Sequence, residues 1–262
     1  MAVNFLPERW LDALAFGAWP WSRLDARLRA RVVGKTPMLE VALAAGGEGR
    51  TLVARFARWQ RFSSWAIVGG GFRRGREVAW CQVTDSELSP DVDATRFLAG
   101  RLASAAVPDA VGLLTSSDLS RYVVRSAAAG GIAARCVATV GLGNRLRAGD
   151  APAPARSVGT INLLCALSRP LSENAMLEAT ALCAEARAVA VIESGARSLR
   201  SELPASGTGT DCQVIAAPDE GETGETLAFV GKHTEAGHLI GQVVLSAVTA
   251  GVEAWLAEHG RG

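Results

Sequence analysis

The sequence predicts a mixed α/β fold in one large domain, largely antiparallel in its first half, with helices covering the faces of the sheet. Three observations predict it. Short apolar runs with a period of two crowd residues 38–84, strand-like runs alternate with longer stretches beyond residue 110, and two long stretches carry apolar residues at three- and four-residue spacing. With 262 residues and 49% hydrophobic content, the chain can bury a sizeable core.

Taken in order, residues 1–35 hold Trp10, Trp19 and Trp21, several arginines, and Leu24 and Leu28 at helical spacing. They read as an N-terminal helical segment preceding a domain of residues 36–262. Runs at 38–45, 51–58, 64–68 and 77–84, separated by glycine clusters, read as antiparallel strands. Phe97, Leu98, Leu102 and Ala105 predict a helix over 91–105 after Pro90. Strands are expected at 111–114, 134–140, 161–167, 212–217 and 227–230. A helix is expected over 172–193, capped by Ser172, with Ala175, Ala179, Leu182, Ala186 and Val189 inward. A last helix is expected over 239–256. The Ala151-Pro-Ala-Pro-Ala155 run reads as a stiff surface loop.

Lys and Arg total 27 against 26 Asp and Glu, so a formal charge of +1 supplies no field for steering nucleic acid or an anionic membrane. Cys81, Cys136, Cys165, Cys183 and Cys212 are odd in number, scattered and mostly within apolar runs, as expected of reduced thiols in a cytoplasmic protein. No signal peptide and no run of the ~20 apolar residues needed for a membrane span is evident.

The chemistry-bearing stretch is Ser206-Gly-Thr-Gly-Thr-Asp211, followed by Gly231-Lys-His-Thr-Glu-Ala-Gly-His238-Leu-Ile-Gly241. The first segment lacks the Gly-Lys-Ser/Thr ending of a P-loop and precedes a strand, which argues against a nucleoside triphosphate site. Two readings stand for it. In one it is a tight turn whose N–H groups bond to Asp211. In the other, Gly207 and Gly209 bring the backbone against a ligand and the N–H groups of 207–210 hold an oxyanion, with Thr208 or Thr210 as a possible nucleophile. His233, expected between a strand and a helix, suits a base that later acts as acid, with Asp211 orienting it; a solvated loop histidine is the bland alternative. His233, Glu235 and His238 do not share one helical face and lack a further strong ligand nearby, so no metal site is expected. Cys81 and Cys165 sit in apolar runs with no local histidine, and no Gly-x-Ser-x-Gly elbow occurs.

These segments, with Ser63-Ser64 to Gly69-Gly-Gly71, Gly112-Leu-Leu-Thr-Ser-Ser-Asp118, Thr139-Val-Gly-Leu-Gly-Asn144 and Gly159-Thr-Ile-Asn-Leu-Leu164, form an ordered set over roughly residues 55–257. The set resembles the adenosylcobinamide amidohydrolases of corrinoid salvage. That resemblance implies hydrolysis of the amide to aminopropanol, giving adenosylcobyric acid, with a small-molecule corrinoid as substrate and no enzyme cofactor, the cobalt belonging to the substrate. It raises His233 and Thr234 as a functional pair and favours ligand contact for Asp118. It also aligns Glu185 in Glu-Ala-Arg187 with a glutamate-alanine-lysine run, whereas His238 stands where relatives tend to carry a carboxylate. Asn144 and Asn162 read as caps or turn residues, or as partners for the corrinoid's amides. A non-catalytic corrinoid carrier and an amidase for an unrelated small amide are the alternatives.

Overall fold

The structure, a computed structural model, describes residues 38–44, 49–84, 86–89, 91–152, 159–219 and 224–260. The expected helical segment 1–35 and part of the 151–155 loop lie outside the described residues. Strands β1 (Leu39–Leu43), β2 (Thr51–Ser64) and β3 (Gly71–Gln82) lead to helix α1 (Ala94–Ser104) and strand β4 (Val111–Thr115). Strands β5 (Val123–Ala129), β6 (Ile132–Val140), β7 (Arg145–Leu146) and β8 (Ile161–Leu167) precede helix α2 (Glu173–Glu193). Strands β9 (Gly207–Thr208) and β10 (Cys212–Pro218) and helix α3 (Glu235–His259) complete the order.

One mixed sheet runs β4-β3-β2-β10-β8-β6-β5, and β1 pairs with the first half of β2. The first three strands are antiparallel neighbours, as expected, whereas β3–β4 and β8–β10 are parallel pairs. Strand alternation sends Cys136, Leu163, Cys165 and Ile215 to the face covered by α2 and α3, and sends Val53, Ala79 and Cys81 toward α1. The remaining strand faces meet one another. Leu52, Phe56 and Trp80 from one half of the sheet share a core with Val137, Leu164 and Val214 from the other, so the sheet bends over its own concave side.

Helix ends follow from local chemistry. Asp93 accepts from the N–H groups of Thr95 and Arg96, both at 3.0 Å, and starts α1. Ser172 Oγ caps Ala175 N at 3.1 Å. Thr234 Oγ1 caps Gly237 N at 3.0 Å and starts α3 four residues before the apolar periodicity does. By length and composition α3 could span a membrane, which the count of apolar runs did not anticipate; half of the stretch is buried, with Val243, Val244, Ala247 and Val248 in the core.

Four expectations need correction. Residues 64–68 are not a separate strand, because β2 itself continues to Ser64. Residues 227–230 form a loop touching α2, where Val230 N donates to Glu178 and Leu227 makes only an isolated bridge to Leu171. Strand β5 was not anticipated: it lies at the sheet edge, and its Arg-Ser-Ala-Ala-Ala sequence has little apolar alternation to betray it. Val189 is exposed, since the inward stripe of α2 steps from Ala186 to Ala190.

Candidate active site

Five of the segments singled out above gather at one end of the sheet, where β6 ends and β8 and β10 begin. Val140 pairs with Ile161 and Thr139 with Asn162, which joins the second of these strands to the first. Asn162 Nδ2 donates to Leu114 O across the bend at 2.7 Å, tying in β4 and the 112–118 segment. Thr160 Oγ1 donates to Thr210 O at 2.9 Å, and Gly209 N to Asn144 O at 3.2 Å, tying in the glycine-threonine turn. Trp65 Nε1 donates to Asp211 O at 3.0 Å and Ser64 Oγ to Gln213 O at 2.8 Å, which brings in the end of β2.

Asp211 organises the turn. Its carboxylate accepts from Ile161 N and Thr208 N, each at 2.9 Å, and from Thr208 Oγ1. Arg187, reaching over from α2, places Nε 3.3 Å from Oδ2, within ion-pair range but angled away from a hydrogen bond. The turn can close this tightly because position 207 is glycine: a Cβ there would strike Asp211 Oδ2. One at Gly209 would come within 2.7 Å of Asn144 Nδ2.

The N–H groups of 208 and 209 are donated to Asp211 and Asn144, and that of Thr210 leans on Thr208 Oγ1 at 3.5 Å. The N–H groups of 208–210 thus have acceptors in the turn or in Asn144, the bonding of the tight-turn reading. Thr210 Oγ1 is likewise engaged with Gly159 O at 3.1 Å. Asn162 spends both ends of its carboxamide on Leu114 O and Thr160 Oγ1.

Asp211 is paired with Arg187, and the course of α3 sets His233 apart from it. Glu235 packs against Gly130 in the turn before β6, while Gly251 faces Val140 at the end of that strand. Helix α3 thus runs alongside β6 from its start to its end, roughly 24 Å for these sixteen residues at 1.5 Å each. His233 precedes the helix at the far end, whereas Asp211 bonds to Ile161 beside Val140. Thr234 is the cap of α3, and Glu185, two residues before Arg187 on α2, forms a surface ion pair with Lys232.

Two of the gathered segments, 112–118 and 139–144, form with Gln82, Arg121 and the last turns of α3 a cleft of about 440 Å³, lined by Ser117, Asp118, Thr139, Trp255 and His259 among others. Two hydroxyls there stand out chemically. Ser117 Oγ and Thr139 Oγ1 are buried and find no hydrogen-bond partner among the described residues. An unpaired buried hydroxyl costs stability, and these two belong to residues of the cleft wall. Asp118 Oδ1 receives Arg50 Nη1 at 2.8 Å and Ser120 N at 2.9 Å, and Oδ2 receives Ser120 Oγ at 2.7 Å. The Ser120 bonds first, then the Arg50 and Arg121 charges, hold its carboxyl below the ordinary aspartate range.

A family model for adenosylcobinamide amidohydrolases matches residues 39–260. The chain belongs to that family. An adenosylcobinamide amidohydrolase of Methanosarcina mazei is 32% identical over 101 residues, covering 36% of this chain and 47% of that protein, so the match spans about half the relative's length. Among solved structures, a β-aminopeptidase from a Burkholderia species is similar at 12% identity and a TM-score of 0.43, with 84% of each chain covered. An L-aminopeptidase D-Ala-esterase/amidase from Ochrobactrum anthropi, described as a variant among the Ntn hydrolase fold, is similar at 11% identity and a TM-score of 0.42, covering 86% of this chain and 93% of that one.

Within this adenosylcobinamide amidohydrolase family member, sequence reasoning overlooked Ser117, Thr139, Trp255 and His259 as lining residues. Ser117 and Thr139 lay inside segments already singled out, but a serine or threonine there carries no mark of being unpaired. Trp255 and His259 gave a faint signal: a stacking pair at i, i+4 ending an apolar helix.

Proposed function

We propose that the chain hydrolyses the amide joining the aminopropanol arm of adenosylcobinamide to the corrin ring, releasing aminopropanol and adenosylcobyric acid. The observation carrying this reading is the polar cleft that residues 116–118 and 139–143 form with the last turns of α3 in a member of this family. Amide hydrolysis needs a donor for the carbonyl oxygen as it becomes an oxyanion and a proton for the departing amine. Ser117 and Thr139 carry hydroxyls in the cleft wall that have no partner among the described residues; both oxygens are covered, so donation requires the wall to shift as the substrate seats. A volume of about 440 Å³ suits the aminopropanol arm and its amide, with the far larger macrocycle remaining at the mouth.

Water is the nucleophile in this reading. Thr208 Oγ1 does bond to Asp211, but that carboxylate is shared among two N–H groups and a guanidinium, which makes it a weak base for activating a threonine. The cobalt travels with the substrate and the enzyme uses no cofactor of its own. Five free cysteines suit a cytoplasmic setting. Incubating purified protein with adenosylcobinamide and following both products by mass spectrometry tests the proposal; binding without any aminopropanol release would make the chain a carrier instead.

A further inference from the structure

We infer that His259 is the group that moves the proton in the cleft, an inference that rests on the amidohydrolase reading above. Of the chain's three histidines only His259 lines the cleft; His233 and His238 flank the first turn of α3, at its opposite end. Its ring stacks on Trp255 with centroids 4.3 Å apart and planes 4° from parallel, and its Nδ1 lies 3.0 Å from Trp255 O. A carbonyl oxygen can only accept. Nδ1 therefore carries the hydrogen, and in the neutral ring the lone pair resides on Nε2. Two contacts from one residue hold both the tautomer and the ring plane.

The charged groups around the imidazole come from α3 itself and from the 119–121 turn packed beside it. Glu258 Oε2 lies 3.9 Å from Nδ1 but is taken by Arg121 Nη1 at 2.7 Å, and Asp118 Oδ2 lies 4.0 Å from Arg121 Nε. Asp118 is also paired with Arg50 Nη1 at 2.8 Å, so two carboxylates are matched by two guanidiniums, and Glu258 is the carboxylate nearest the ring. The side chain is about half exposed, so it can also exchange protons with solvent.

The step balances as an ordinary hydrolysis. Nε2 takes a proton from water as the water oxygen bonds to the amide carbon, and the carbonyl oxygen becomes an oxyanion accepting from Ser117 and Thr139. The carbon–nitrogen bond then breaks as Nε2 returns the proton to the amine nitrogen, leaving a carboxylic acid and aminopropanol.

The test compares the parent, His259→Gln and, as a control outside the cleft, His238→Gln. It reads aminopropanol release across pH, adenosylcobinamide affinity by absorbance titration, and the histidine tautomers by long-range proton–nitrogen correlation spectra. His259→Gln is expected to lower turnover by ~100-fold or more, to bind within about 3-fold of the parent, and to lose the fall in rate that the parent shows as pH drops. His238→Gln should keep the parent's profile. The spectra should show His259 protonated at Nδ1 in its neutral form. A His259→Gln variant as fast as a parent that does turn over, or the opposite tautomer, overturns the role of His259 alone. A parent that leaves adenosylcobinamide intact overturns the proposed activity and this role with it.

Discussion

Arg187 Nε lies 3.3 Å from Asp211 Oδ2, and the two side chains are only 15% and 6% exposed. A helix is thereby joined to the turn that opens β10, and the carboxylate so fixed also holds Ile161 N at the head of β8. Removing one member of such a pair leaves the other charge buried without compensation, which costs about 3 kcal/mol or more. Arg187→Met and Asp211→Asn should each lower unfolding free energy by roughly that amount in urea titrations. The double variant should lose much less than the sum, because the second change removes a charge already stranded. Additive losses would mean that the two residues act independently.

The acid sensitivity of the 119–121 turn follows from Asp118. Its carboxyl is lowered by hydrogen bonds from Ser120 and then by the charges of Arg50 and Arg121. A pKa lower in the folded chain contributes stability that is present above the unfolded value of ~3.9 and is lost as pH falls through the folded value. Thermal melts between about pH 6 and about pH 3 should show Tm declining below ~4 in the parent and declining less steeply in Asp118→Asn. The same slope in both proteins would show that other carboxylates govern the acid limb.

How far the site could be read from sequence depended on the kind of information each residue carries. The ordered segments, the strands at 161–167 and 212–217, and the cap Ser172 are local patterns, and composition with spacing reveals them. The partner of Asp211 is not local. Whether its carboxylate meets His233 or Arg187 depends on which way α3 runs along β6, and periodicity is the same in either direction. Ser117 and Thr139 present a related difficulty: burial without a partner is a property of the packed end of the sheet, and neither hydroxyl differs in sequence from one that is bonded. The even choice between a structural turn and an oxyanion nest at 207–210 rests on the same kind of fact, the identity of each acceptor.

The cysteines should be inert toward alkylation under native conditions. Cys136 is raised well above the usual thiol range by burial and then by Cys165, and Cys183 by its hydrogen bond with Cys165 and then by burial. Burial raises Cys81 and Cys212 as well, and Cys212 alone is not fully buried. Iodoacetamide near neutral pH should modify at most Cys212 and leave turnover intact, as counted by intact-mass measurement beside the activity assay. Stoichiometric loss of activity on modification of one thiol would point to a cysteine nucleophile.

Thr139 offers the sharpest separation of function from stability. Its side chain is 1% exposed and its Oγ1 finds no partner among the described residues, although it lines the cleft. Exchanging the hydroxyl for a methyl of similar shape removes an unsatisfied polar atom, so Thr139→Val should raise unfolding free energy by about 1 kcal/mol. If the hydroxyl donates to the oxyanion, the same change should cut turnover by ~100-fold, with substrate affinity nearly unchanged because the bond tightens only as charge develops. Ser117→Ala should behave alike, and combining the two should slow the reaction further while the protein stays folded. A purely structural hydroxyl predicts the reverse, in which Thr139→Val destabilises the protein and leaves the rate per folded molecule untouched. A more stable and equally active Thr139→Val would mean that the carbonyl oxygen finds its donors elsewhere in the cleft.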